Sequence, residues 1–223
     1  MSSAPSAYRG PSGIFDQRPT RPGPQAASPI SWPSADIIPG IVAAELLLGR
    51  TALAAVAAGR LRAYPTGVAF TLLVRLVGAP RRHHEPLPNG RGYRVDNTGF
   101  PHSLRWGHER VNGGVGGLPD DLLRIGVVFA DGRTVTNLDA DGIGSGAQAG
   151  VPNAQLAFQG GGGLRRWDFE AWLEPLPPPG PLGLVCEWPA KGIPMSRVDI
   201  DGSLVLAAAA RAIGAPTFVS WPR

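Results

Sequence analysis

Ile125-Gly126-Val127-Val128-Phe129-Ala130-Asp131-Gly132-Arg133-Thr134-Val135-Thr136 is the stretch that decides the fold. Ile125, Val127 and Phe129 recur at a period of two, which sends them to one face of a β-strand. Asp131-Gly132 is the dipeptide of a two-residue type I′ turn, and Thr134-Val135-Thr136 runs back as the partner strand. The segment is therefore expected to be a β-hairpin.

The same alternation recurs upstream, where Val68, Phe70, Leu72, Val74 and Leu76 interleave with Ala69, Thr71, Leu73 and Arg75. Just before it, Tyr64-Pro65-Thr66-Gly67 has proline second and glycine fourth, the pattern of a type I turn, so residues 52–63 should return antiparallel. Their alanines favour a helix, but Gly59 and the turn favour a strand. Residues 41–48 are read as a strand too, with a helix from Val42 to Leu48 as the alternative. Downstream, Trp167, Phe169, Ala171 and Leu173 face one way and Asp168, Glu170, Trp172 and Glu174 the other. The proline-rich run 175–181 turns the chain, Leu184 to Trp188 forms the next strand, Pro189 closes it, and Met195 to Ile200 forms another. Ser203 then caps an apolar run from Leu204 to Ile213 that Gly214 and Pro216 stop.

About seven short strands without alternating βαβ units specify an all-β chain, mainly an antiparallel β-sandwich, with one short C-terminal helix and a disordered N-terminal tail. The tail is 1–36, rich in Pro, Ser and Gly, and 37–223 is one domain. Two long loops interrupt it, 79–122 and 139–163, the second ending in Gly160-Gly161-Gly162-Gly163. The tail's Tyr8, Phe15 and Trp32 are either strays or anchors that dock on a partner or back onto the fold.

Glycine (31) and proline (24) make up about a quarter of the 223 residues, which disfavours long helices. The single cysteine, Cys186, excludes an intramolecular disulfide and a thiolate zinc site. Neither a membrane-length apolar run nor a signal-peptide pattern is present, so no membrane partner and a cytoplasmic location are expected. The net charge of +4 raises the question of nucleic acid. The first 118 residues hold thirteen arginines against six acids, whereas 119–223 hold eight bases against eleven acids. Opposed charges of this kind suit strands that pair within one fold better than a phosphate-binding stripe, so nucleic acid is not the expected partner.

Arg165-Arg166-Trp167-Asp168-Phe169-Glu170, the run from Pro175 to Leu182, and Cys186-Glu187-Trp188-Pro189-Ala190 resemble a set of uncharacterised bacterial proteins of about this length, with a glycine run before the block. The resemblance covers mainly 120–213. It implies no activity and no cofactor, and it assigns no functional residue.

Chemistry-bearing residues collect in the first loop. His83, His84, His102 and His108, with Glu109, are the candidate ligand-site residues, although their spacings match no helix- or strand-borne metal motif. Asn137-Leu138-Asp139-Ala140-Asp141-Gly142 copies the first half of a calcium loop, but Gln148 stands where a bidentate glutamate belongs, and an Asx-rich turn is the plainer reading. No cofactor is expected. Asp168 and Glu170, spaced by two on a strand, are candidate contact or acid–base groups, or they pair with arginines on a neighbouring strand. Trp106 and Trp172 are candidate surface contacts, and Cys186 reads as a buried structural thiol. The leading expectation is a non-enzymatic binding module with an unidentified protein partner. The alternatives are a hydrolase-like or metal-dependent enzyme with its site in 79–118, and a structural component of a larger assembly.

Overall fold

Two antiparallel sheets share one hydrophobic core. The computed structural model describes residues 13–15, 32–77, 83–86, 93–96, 120–139, 153–163 and 165–214. In chain order the strands are β1 (Ile37–Ile38), β2 (Gly40–Val42), β3 (Leu46–Arg50), β4 (Ala54–Ala63), β5 (Val68–Leu76), β6 (His83–Pro86) and β7 (Tyr93–Asp96). They continue with β8 (Arg124–Val128), β9 (Thr134–Thr136), β10 (Gln155–Gly163), β11 (Arg166–Glu174), β12 (Pro181–Trp188), β13 (Ile193–Asp201) and β14 (Ile213–Gly214). One helix, α1 (Gly202–Ala209), lies between the last two strands.

The larger sheet runs β10-β11-β5-β4-β2, with β3 also on β4, and the smaller runs β13-β12-β8-β9. Their inner faces meet through alternate residues: Val56, Leu72, Val74, Phe169 and Ala171 from the larger, Ile125, Val127, Leu184 and Cys186 from the smaller. At one corner the Ser196 hydroxyl on β13 donates to the Leu48 carbonyl on β3, which ties the sheets together. Among the described residues no helix is long and apolar enough to cross a membrane.

The period-two stretches all form strands, and the antiparallel turn at 64–67 is closed by the Tyr64 amide donating to the Gly67 carbonyl at 2.8 Å. Residues 41–48 are extended rather than helical, but in two pieces, β2 and β3, separated by Ala43-Ala44-Glu45.

Four expectations need correction. The hairpin turn is not type I′. Val128 pairs with Thr134, the Phe129 amide bonds the Arg133 carbonyl, and Gly132 alone has positive φ (+87°), leaving a three-residue loop of a type I turn and a glycine bulge. The Asp131 carboxylate holds it by accepting from the Arg133 amide and Nε. The helix is capped by Asp201, whose side chain accepts from the Ser203 amide, and it ends at Ala209 so that Ile213–Gly214 can pair with β1. The third concerns the glycine run, which belongs to β10: Gly160 to Gly163 lie opposite Phe169 to Arg166 in unbroken register with β11. The register supplied by β11 outweighs the poor strand propensity of glycine. Finally, the 79–122 loop contains the two-stranded ribbon β6–β7, with His83 opposite Asp96 and His84 opposite Val95.

Candidate functional site

The outward face of the small sheet carries an apolar residue that a solvent-facing position does not require. Inner and outer residues alternate along β12, so Leu184 and Cys186 face the core while Val185 points away from it. Val185 is nevertheless fully buried. What covers it is Phe15, 4 % exposed, packed with Leu122 and Leu138, while Ile14, Val128 and Met195 border the cluster. The neighbouring outward position on β8 is Gly126, in register with Val185 and Thr136. A Cβ there would stand 3.1 Å from Ile14 Cδ1, so the missing side chain is the notch that admits Ile14. Ile14 and Phe15 thus occupy a shaped seat between the ion pairs Arg124–Glu187 and Arg197–Asp199.

One wall of the seat, at Leu138, is fixed by polar groups. Asn137 is buried, its Oδ1 accepting from the Ile125 amide at 2.8 Å and its Nδ2 donating to the Leu123 carbonyl at 2.9 Å. Asp139 accepts from the Thr136 amide and hydroxyl, while burial pushes its carboxyl above the usual range against those bonds. Of the oxygens that resembled calcium ligands, the Asp139 carboxylate therefore closes a local turn and the Asn137 oxygen is taken by the Ile125 amide, while Asp141 lies outside the described residues. Among the described residues no three His, Cys, Asp or Glu side chains come together as a metal site.

A second piece of the tail rests on the other sheet. Trp32 and Ile37 pack against Tyr64, Ala69 and Trp172, with the Tyr64 and Trp172 rings edge to face at 5.6 Å. Trp172 is 1 % exposed, and its Nε1 donates to Glu174, so the contact surface expected on Trp172 is already covered by the chain itself. Asp168 and Glu170 do lie on the outward face, where Arg75 and Arg166 hold Asp168, and Arg62 and the Thr71 hydroxyl hold Glu170. Burial raises the Asp168 pKa, but the two arginines outweigh it and hold the carboxyl below its ordinary value. Two carboxylates committed in this way are salt-bridged partners, not a poised acid and base.

His83 and His84 are placed on β6 by their backbone. His102, Trp106, His108 and Glu109 lie outside the described residues, as does Tyr8. Cys186 faces the core; burial foremost, then the nearby Glu187 charge, pushes its thiol pKa up, as for a buried structural thiol. Of the two readings of the tail's aromatics, docking onto the fold holds for Phe15 and Trp32. The residues that sequence reasoning missed are Ile14 and Gly126. Their signals were an apolar pair isolated in a proline-rich segment, and a glycine interrupting an otherwise apolar strand.

Comparisons with protein-family models, with curated proteins and with solved structures give no match to this chain.

Proposed function

We propose that the protein is a non-enzymatic interaction module whose recognition surface is the seat on the outward face of the small sheet. The observation that carries this reading is the Ile14–Phe15 pair filling a notch made by Gly126. The partner is a protein segment that presents the same chemistry, a β-branched residue followed by an aromatic, in extended or turn conformation. Such a pair supplies concentrated apolar area, and the seat bounds it on two sides with ion pairs that orient the flanking backbone. The chain's own tail then acts as the resident occupant, favoured by its tether through an effective concentration in the millimolar range.

A labelled peptide of residues 9–20 tests the reading by fluorescence anisotropy against full-length protein. The Phe15→Ala chain, with the seat vacated, should bind it, and wild type should bind it at least tenfold more weakly because its own tail competes. A Gly126→Val substitution in the Phe15→Ala background should abolish binding. Absence of binding to Phe15→Ala removes the proposal.

A further inference from the structure

We propose that the partner of the seat is the tail of a second copy of this chain, so that copies join head to tail; the inference rests on the seat reading above and names its occupant. The tail is anchored at two points. Ile14 and Phe15 lie on the outward face of the small sheet, at Gly126 and Val185. Trp32 and Ile37 pack on Tyr64, Ala69 and Trp172 of the larger sheet. Trp172 belongs to the outward face of that sheet, because its neighbours along β11, Ala171 and Leu173, lie in the core between the sheets. The point from which the tail is donated and the seat that accepts it are therefore on opposite sides of one copy.

That placement chooses the occupant. Packed sheets stand about 10 Å apart and each anchor stands about 5 Å outside its sheet, so roughly 20 Å of protein separates the two anchors. Within one copy the connection has to round an edge of the sandwich, a path of roughly 35–40 Å on the same spacings. Residues 16–31 join Phe15 to Trp32, and four of these sixteen are proline: Pro19, Pro22, Pro24 and Pro29. As a flexible chain the seventeen steps have an r.m.s. span of about 21–25 Å, and fully extended they reach about 56–61 Å. Closure on the chain's own seat is within reach, but it stretches the tether beyond its mean span, and proline resists the bend. When the larger sheet of one copy faces the small sheet of the next, the same two anchors come onto apposed surfaces and no edge has to be rounded. Donor face and acceptor face differ, so the contact is heterologous and copies add one after another rather than closing as a two-fold pair. It also covers Leu47, 44 % exposed, and Ile41, 62 % exposed, which lie outward on the donor face.

Sedimentation velocity on the full chain tests this. Wild type should be monomeric at low micromolar concentration and give dimers, trimers and longer species as it approaches the effective concentration of its own tether, towards about 1 mM. Deleting residues 20–27 leaves nine steps, about 30 Å, too short to round an edge but long enough to reach a facing copy. That chain should assemble at a concentration at least tenfold lower. Phe15→Ala cannot donate and Gly126→Val cannot accept, so each alone should stay monomeric, while their mixture should form a 1:1 pair and stop there. Should the Gly126→Val chain not fold, the wild-type series and the shortened tether decide. Binding of the 9–20 peptide to Phe15→Ala, with wild type and the shortened chain both monomeric, leaves the seat standing and overturns the exchange; a wild type that stops at dimers overturns the head-to-tail arrangement. If the peptide does not bind either, the seat reading and this inference fall together.

Discussion

Arg75 Nη1 lies 2.6 Å from Asp168 Oδ1 across the β5–β11 pair, and Arg166 reaches the other carboxylate oxygen at 3.0 Å. This cross-strand contact, with Arg62–Glu170 beside it, brings arginines of the basic first half onto an acidic strand of the second half. Two of the first-half arginines, Arg62 and Arg75, are thus consumed inside one sheet.

The Asp168 pKa is lower in the folded chain than its ordinary value of 3.8. A depressed carboxyl pKa contributes stability that is present above the unfolded value and lost as pH falls through the folded one. Asp168→Asn should therefore cost ~0.5 kcal/mol at pH 7, a small effect because the arginines are partly solvated. The gap to wild type should close as pH is lowered below about 4. Urea titrations at several pH values measure it; a gap that widens in acid contradicts the assignment.

Gly132 should resist substitution for a conformational reason alone. Its φ is +87°, and nothing lies within 4 Å of an added Cβ, so no clash contributes. Gly132→Val should cost ~1–2 kcal/mol and Gly132→Asn distinctly less, because asparagine tolerates the left-handed region. Equal costs for the two, read from melting curves, would point to a packing defect instead.

Asn137 bridges two buried backbone groups, the Ile125 amide and the Leu123 carbonyl. Asn137→Ala leaves both without that partner and should destabilise by about 3 kcal/mol. Because the Asn137 and Asp139 oxygens are already engaged, millimolar calcium should leave the wild-type melting temperature where it was. A calcium-dependent rise would reinstate the cation-loop reading.

How much of this was legible depends on where the deciding information resides. Period-two alternation placed β5, β8, β11 and β12, because a strand with one buried face must repeat every second residue. The charge asymmetry anticipated Arg75–Asp168 and Arg62–Glu170 for the same reason: cross-strand neighbours are fixed once register is fixed. The seat for Phe15 was not legible. Val185 looks like any core valine in sequence, and only the topology shows that it points outward and needs a cover. The strand through Gly160–Gly163 was hidden because its order is supplied by β11, not by its own side chains. The loop histidines gave no usable signal, since their spacing carries no period.

The glycine run allows a sharper separation of local demand from packing. Gly160 has φ +108°, and its added Cβ would stand 2.7 Å from the Asp168 carbonyl oxygen; at Gly162 a Cβ would stand 2.0 Å from the Arg166 carbonyl oxygen. Both contacts are with the backbone of β11, which cannot move aside without breaking the ladder. At Gly161 and Gly163 nothing lies within 4 Å, and neither φ is positive. Alanine at those two positions restricts the unfolded chain without straining the folded one, so Gly161→Ala and Gly163→Ala should each stabilise by ~0.4–1 kcal/mol. Gly162→Ala should destabilise by ~1–3 kcal/mol, the usual cost of forcing atoms into a filled space. Thermal melts of the three variants in one buffer measure the alternation directly. If all three alanines behave alike, residues 160–163 do not lie in the register that pairs Gly162 with Trp167, and the edge of the larger sheet has to be redrawn.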